Sequence, residues 1–150
     1  MRIAIGADHA GFHLKGEIAK FLGELGYSYH DFGAYDDAPS DYPDFARAVA
    51  EGVAAGDFER GILVCGNGVG VCIVANKVPG VRAALCHDTL SARQSVEHDD
   101  ANVLCLGERI IGTALALEIV RAWLNARFSG KERYRRRLEK IGRMERTPGG

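Results

Sequence analysis

Apolar residues along the chain fall into two alternating kinds of run. Ile3, Ala4 and Ile5 form a short unbroken apolar stretch, and Leu14, Ile18, Leu22 and Leu25 then recur at spacings of four, four and three before Gly26. The first run reads as a buried strand and the second as one face of a helix closed by glycine. Tyr27 to Phe32 predicts a second strand ending at Gly33. A loop with Pro39 and Asp41-Tyr42-Pro43 precedes a helix predicted from Asp44, carrying Phe45, Val49 and Val53 on one face and closed by Gly56.

The alternation continues through the second half. Ile62-Leu63-Val64-Cys65 is a fully apolar third strand, followed by Gly66-Asn67-Gly68-Val69-Gly70, an apolar segment to Asn76 and a turn at Pro79-Gly80. Val81 to Cys86 predicts strand four, Thr89 to Glu97 a helix, and Asn102 to Leu106 strand five. A long helix predicted from Thr113 to Phe128 places Leu117, Val120, Leu124 and Phe128 on one stripe, and Ser129-Gly130 separates it from a terminal helix. Strands alternating with helices at this spacing predict βαβ units: a five-stranded parallel α/β sheet, helices on both faces, in one domain spanning residues 1–150.

Charge changes the picture only at the end of the chain. The formal net charge is −1, so no overall field advertises nucleic acid or an anionic membrane. From Lys131 to Arg146, however, eight basic residues stand against three acidic ones, which makes this segment +5 and the rest of the chain −6. Glu132, Glu139 and Glu145 interrupt the basic helix and no aromatic stacking platform accompanies it, which argues against nucleic acid as its partner. The four cysteines, 65, 72, 86 and 105, form no CxxC pair and fit reduced thiols in a cytoplasm better than a disulfide framework or zinc site. Asp8 and His9 arrive before any apolar stretch long enough for a secretory signal, and no run is long enough for a membrane span. A cytoplasmic protein is expected.

Ligands of open α/β sheets bind beyond the carboxyl ends of the strands, so the loops after strands one and three are the candidate sites. Gly6-Ala7-Asp8-His9-Ala10-Gly11 places a carboxylate and an imidazole after strand one. Cys65-Gly66-Asn67-Gly68-Val69-Gly70 places a thiol at the tip of strand three against a glycine-rich nest of amides. Neither is a standard nucleotide motif: Gly11 and Gly16 precede Phe12 and Glu17 where a phosphate loop needs Lys then Ser or Thr, and Val71 stands where the dinucleotide fingerprint needs glycine. Cys65 reads either as a buried strand residue or as a thiolate base or nucleophile. Asp8 reads as a helix cap or a catalytic carboxylate, and His9 as a solvated loop residue or a ligand. His98-Asp99-Asp100 fits a helix C-terminal turn, and a metal set drawn from Asp8, His9, His98 and Asp99 lacks the local spacing of a known metal motif. Arg133 and Arg137, four apart, form either a solvated charged face or a grip for one phosphate.

Taken in order, Ile5 to Phe12, Asp41-Tyr42-Pro43, Cys65 to Gly70 with Ala75-Asn76-Lys77, His98 to Leu104, Gly107-Glu108-Arg109 and the terminal arginines resemble the type B ribose-5-phosphate isomerases and the related galactose-6-phosphate and allose-6-phosphate isomerases. The likeness spans nearly the whole chain. It implies a Rossmann-like three-layer sandwich with a C-terminal helical extension (129–150) that packs on a partner subunit, in a homodimer or dimer of dimers with shared active sites. It implies a phosphorylated sugar as substrate, with no cofactor and no metal. By this resemblance Asp8, His9, Tyr42, Cys65, Gly66, Asn67, Gly68, Val69 and Gly70 come from one chain, and His98, Asp99, Arg109, Arg133 and Arg137 from the other. Cys65 is then the base that moves a proton between C1 and C2, His98 with Asp8 opens the sugar ring, and His9, Arg109, Arg133 and Arg137 clamp the phosphate. The amides of the glycine loop stabilise the oxyanion.

Two positions depart from the pattern. Asn67 supplies an amide where many members carry threonine, and Asp99 an acceptor-only carboxylate where asparagine is usual. Ribose 5-phosphate is the expected substrate, with four- and six-carbon phosphosugars and a nucleotide-binding module of similar fold as alternatives.

Overall fold

The computed structural model describes residues 1–146; the last four positions of the predicted terminal tail lie outside the described residues. Five strands, β1 (Arg2–Ala7), β2 (Ser28–Asp31), β3 (Arg60–Cys65), β4 (Ala83–Leu85) and β5 (Val103–Gly107), form one sheet in the order β2-β1-β3-β5-β4, every pairing parallel. Six helices accompany them: α1 (Phe12–Glu24), α2 (Tyr42–Ala54), α3 (Val69–Ala75), α4 (Thr89–Asp99), α5 (Thr113–Asn125) and α6 (Glu132–Arg146).

The strands are apolar on both sides because helices cover both faces. Ile3, Ile5, Ile62, Val64, Leu104 and Leu106 point to the layer of α1, α4 and α5, where Leu14, Ile18, Leu22, Val96, Ile119 and Trp123 are buried. The intervening residues Ala4, Leu63, Val103 and Cys105 point to α2 and α3, against Val49, Val53, Val71 and Ala75. This period-two division makes two apolar cores on either side of one sheet.

Element boundaries differ from expectation where local chemistry overrides hydrophobic pattern. Helix α2 begins at Tyr42 because Asp41 takes the extended N-cap conformation and Pro43 suits the first turn. Helix α5 stops at Asn125, before Phe128, where Ala126 turns extended and the buried guanidinium of Arg60 donates to the Trp123 and Ala126 carbonyls. Strand β4 is an edge strand of three residues. Side-chain amides take up its flanking backbone: the Ala83 N–H donates to Asn76 Oδ1 at 2.8 Å and the Arg82 N–H to Asn102 Oδ1 at 2.7 Å. The basic helix α6 packs on α4, with Tyr134 its buried residue.

Candidate active site

After β1 the chain runs toward β2 at one edge, and after β3 it runs toward β4 at the other. The carboxyl ends of the adjacent strands β1 and β3 therefore flank the crevice where helices leave in opposite directions, the usual ligand position in an open α/β sheet. A cleft of about 630 Å³ opens there.

Its floor is Cys65, the last residue of β3 and 5% exposed. The loop that follows turns back at Gly68, whose φ of +79° lies in the left-handed region, so that the Gly68 N–H donates to Cys65 Sγ at 3.2 Å. Asn67 accepts the Val69 N–H on its Oδ1 at 3.0 Å, an Asx turn that begins one residue before Gly68, the N-cap of α3. The first turn of α3 faces the cleft at Val69 and Gly70, and its leading N–H groups have no earlier turn to donate to.

The β1 side supplies Asp8 and His9. Asp8 is 7% exposed and accepts the Ala10 and Gly11 N–H groups on Oδ1 at 3.0 and 3.1 Å, starting a single 3-10 turn over His9–Gly11. The capping role is thus real, and Asp8 also lines the cleft. His9 accepts the Ser40 N–H on Nδ1 at 3.2 Å, while its own backbone N–H donates to Ser40 Oγ at 3.1 Å. Tyr42, at the start of α2, lays its ring over Gly70. Arg109 lies beside Gly66, its backbone N–H donating to the Gly66 carbonyl at 3.0 Å.

One chain therefore gathers Asp8, His9, Tyr42, Cys65, Gly66, Asn67, Val69, Gly70 and Arg109 around one cleft, with Gly68 in the loop beneath. Arg109, expected from the partner subunit, lies instead in the cleft with the Cys65 of its own chain, because its backbone is bonded to Gly66. It places His98, Asp99, Arg133 and Arg137 elsewhere. His98 stacks on Tyr134 with ring centroids 4.5 Å apart, and the guanidiniums of Arg133 and Arg137 lie 4.6 and 5.7 Å from the same ring. Asp99 lines a separate cavity of about 390 Å³ with Arg82, Ile141 and Met144. The topology explains the separation. Helix α4 runs back against the strand direction and delivers His98 to the amino ends, next to Val103, which pairs with Gly61; Cys65 pairs with Gly107 at the other end. The four residues between these registers span ~13 Å of sheet at about 3.3 Å per residue.

Some contributors escape a sequence reading. Ile73 and Ile110 form an apolar rim, 56% and 55% exposed. Tyr134 gathers His98 and the two arginines; an aromatic inside a run of arginines is the signal that could have found it. His87 accepts the Gly107 N–H on Nε2 at 2.9 Å and so holds the end of β5 against Asn67, and burial lowers its pKa. Cys72, half-buried on α3, is held at about 7 by a hydrogen bond from Cys105, whereas burial pushes Cys86 up to about 11. Among the described residues, no group of three or more His, Cys, Asp and Glu is arranged to hold a metal ion, and no helix is long and apolar enough to cross a membrane.

A parallel sheet of this order, with a crevice beyond β1 and β3 that gathers Asp8, His9 and Cys65, places the protein among the doubly wound, Rossmann-like α/β folds. Similarity to known proteins narrows that class. The family model for Ribose/Galactose Isomerase matches residues 3–141. A solved structure of Clostridium thermocellum ribose-5-phosphate isomerase B superposes with a TM-score of 0.96 at 53% identity, covering 97% of this chain and 98% of that one. Ribose-5-phosphate isomerase B of Escherichia coli (strain K12) is 46% identical over 144 residues, 96% of each chain. D-erythrulose-4-phosphate isomerase of Pectobacterium atrosepticum is also 46% identical, over 147 residues that cover 97% of this chain and 95% of that one. The chain belongs to the ribose/galactose isomerase family, and it is an isomerase.

Proposed function

We propose that the cleft interconverts a phosphorylated aldose and its ketose through a cis-enediolate, with ribose 5-phosphate and ribulose 5-phosphate as the substrate pair. The observation that carries this reading is Cys65: a thiol at a strand tip, on the floor of a cleft, flanked by helix-initiating amides. As thiolate it takes the proton from C2 of the open-chain aldose and the electrons move to the C1 oxygen. The C2 hydroxyl then passes its proton to that oxygen while the Cys65 thiol returns a proton to C1, and the C2 carbonyl of the ketose forms. Backbone N–H groups of the Gly66–Gly70 loop hold the charge that develops on oxygen. No metal or cofactor enters this route.

The remaining roles need two copies of the chain. His98, Arg133 and Arg137 stand at the amino ends of the sheet and Cys65 at the carboxyl ends, so a symmetric dimer with shared sites is the arrangement that joins them. In that dimer His98 works with Asp8 to open the sugar ring, and Asp99 and Tyr42 face the hydroxyls. His9 and Arg109 meet Arg133 and Arg137 around the phosphate. The two guanidiniums gathered on Tyr134, one helical turn apart, support a compact tetrahedral anion as their target. The four free thiols suit a reducing cytoplasm.

Relatives named for five- and four-carbon phosphosugars are equally similar, at 46% identity, so overall likeness does not select carbon number. A tetrose, allose or galactose phosphate is therefore the alternative substrate. The test is an isomerisation assay over four-, five- and six-carbon aldose and ketose phosphates, with and without EDTA. Ribose 5-phosphate should give the highest kcat/KM, EDTA should leave the rate unchanged, and Cys65→Ala should lower it ~10²–10⁴-fold. If Cys65→Ala keeps more than about a tenth of the rate, Cys65 is not the base.

A further inference from the structure

We propose that Ser40 is a positioning residue that sets the tautomer and aim of His9, and through it the grip on the substrate's phosphate. The inference rests on the assignment of His9 to that phosphate.

Segment 32–41 joins β2 to α2 without regular structure, yet both of its ends are tied down. At its base Lys15, 2% exposed, donates from Nζ to the Ala34 carbonyl and, at 2.9 Å, to Asp31 Oδ1. The same carboxylate oxygen accepts the Gly33 N–H at 2.8 Å. Near its far end Ser40 makes a reciprocal pair with His9: the hydroxyl accepts the His9 backbone N–H at 3.1 Å, and the Ser40 N–H donates to His9 Nδ1 at 3.2 Å.

This pair completes a set. The amides of Ala10 and Gly11 are taken by Asp8, and that of His9 by Ser40, so all three residues of the turn that enters the cleft donate to side-chain oxygens. The consequence for the imidazole is chemical. A ring whose Nδ1 accepts a hydrogen bond carries its proton on Nε2 when neutral. His9 lines the cleft, so with Nδ1 engaged by Ser40 it offers substrate an N–H donor on Nε2 even when uncharged. That is the polarity an oxygen anion requires.

The pair is half-buried, so water replaces it imperfectly. Ser40→Ala removes the acceptor of the His9 N–H and lets the Ser40 amide drift from Nδ1. Ser40→Thr keeps the hydroxyl.

Two-bond ¹H–¹⁵N correlation of the imidazole rings in the full-length protein at neutral pH reads the tautomer, with His9→Asn identifying the His9 signals. The wild type should show His9 protonated on Nε2 and bare on Nδ1. Ser40→Ala should shift it toward a tautomer mixture and raise KM for ribose 5-phosphate roughly three- to tenfold, the loss expected for one hydrogen bond, with kcat within about twofold. Ser40→Thr should restore both. A wild-type His9 protonated on Nδ1 overturns the proposal without any variant having to fold, and so does a folded Ser40→Ala with unchanged tautomer and KM. If Ser40→Ala redistributes the proton while His9→Asn leaves KM unaltered, the phosphate role of His9 fails and the Ser40 contact stands.

Discussion

The three glycines of the Gly66–Gly70 loop are equivalent in the sequence but not in space, and replacing each by alanine should separate them. Gly68→Ala is the severe case. Its φ of +79° costs a residue with a Cβ about 1–2 kcal/mol. The added Cβ would stand 2.6 Å from Leu85 Cδ1, and 2.9 and 3.1 Å from the Leu106 carbonyl carbon and oxygen. Leu85 is 39% exposed and can rotate away, but Leu106 lies on β5 between β3 and β4, and its backbone cannot yield without moving the sheet. Overpacking of that kind adds about 1–3 kcal/mol, so the total is about 2–5 kcal/mol. At ~2–4 °C per kcal/mol for a chain of this size, Tm should fall by on the order of 10 °C. Gly66→Ala meets the Arg109 side chain at 3.3 Å and Ala10 Cβ at an ordinary 3.7 Å, and should unfold close to wild type. Gly70→Ala would put its Cβ 2.5–2.9 Å from three Tyr42 ring atoms. Tyr42 is 39% exposed, so its ring should swing out of the cleft, lowering activity with little change in Tm. Scanning calorimetry at one fixed protein concentration, beside steady-state kinetics, reads both effects. A Gly68→Ala protein melting within about 2 °C of wild type would refute the reasoning, because neither the left-handed backbone nor the Leu106 contact would then be costing what is assigned to it.

Mixing Cys65→Ala with Arg133→Ala/Arg137→Ala tests the shared site: random exchange should restore about a quarter of wild-type activity, since half the dimers are mixed and each holds one intact site. No recovery, once mass spectrometry confirms exchange, places base and arginines on one chain. Because burial lowers the pKa of His87, the unfolded chain binds more protons between the ordinary value near 6.5 and the depressed native one, and stability should fall as pH falls through that window. His87→Gln keeps an acceptor for the Gly107 N–H without titrating, so its Tm should vary less over that range; identical pH slopes would sink the assignment. Alkylation by iodoacetamide, followed by peptide mass mapping, should titrate at Cys72 with a midpoint of about 7 while Cys86 stays unreactive. A Cys72 midpoint near the ordinary thiol value of about 8.5 would remove the hydrogen bond from Cys105 as its cause.

Much of this molecule was legible before any coordinates. Alternating apolar runs and 3.6-residue periodicities determine five strands between helices, because a strand buried on both faces must be apolar throughout and a covering helix must be apolar on one side. The loops after β1 and β3 were legible as the cleft for a related reason: reactive side chains beside glycines at strand ends are where an α/β sheet leaves backbone unpaired. The edge strand β4 is shorter than hydrophobic pattern predicts, because that pattern cannot register that Asn102 and Asn76 take the Arg82 and Ala83 N–H groups with their side chains. Tertiary structure alone decided which residues face each other. Ser40 reaches His9 across 31 residues of chain, and Gly107 packs on Asn67 while bonded to His87; neither contact leaves a period or a spacing in the sequence. Local pattern also says nothing of sheet order. That order, with the parallel pairing of β3 and β5, sets Cys65 and His98 at opposite ends of the sheet, because a helix returning between parallel strands must deliver its last residues to the end where the next strand begins.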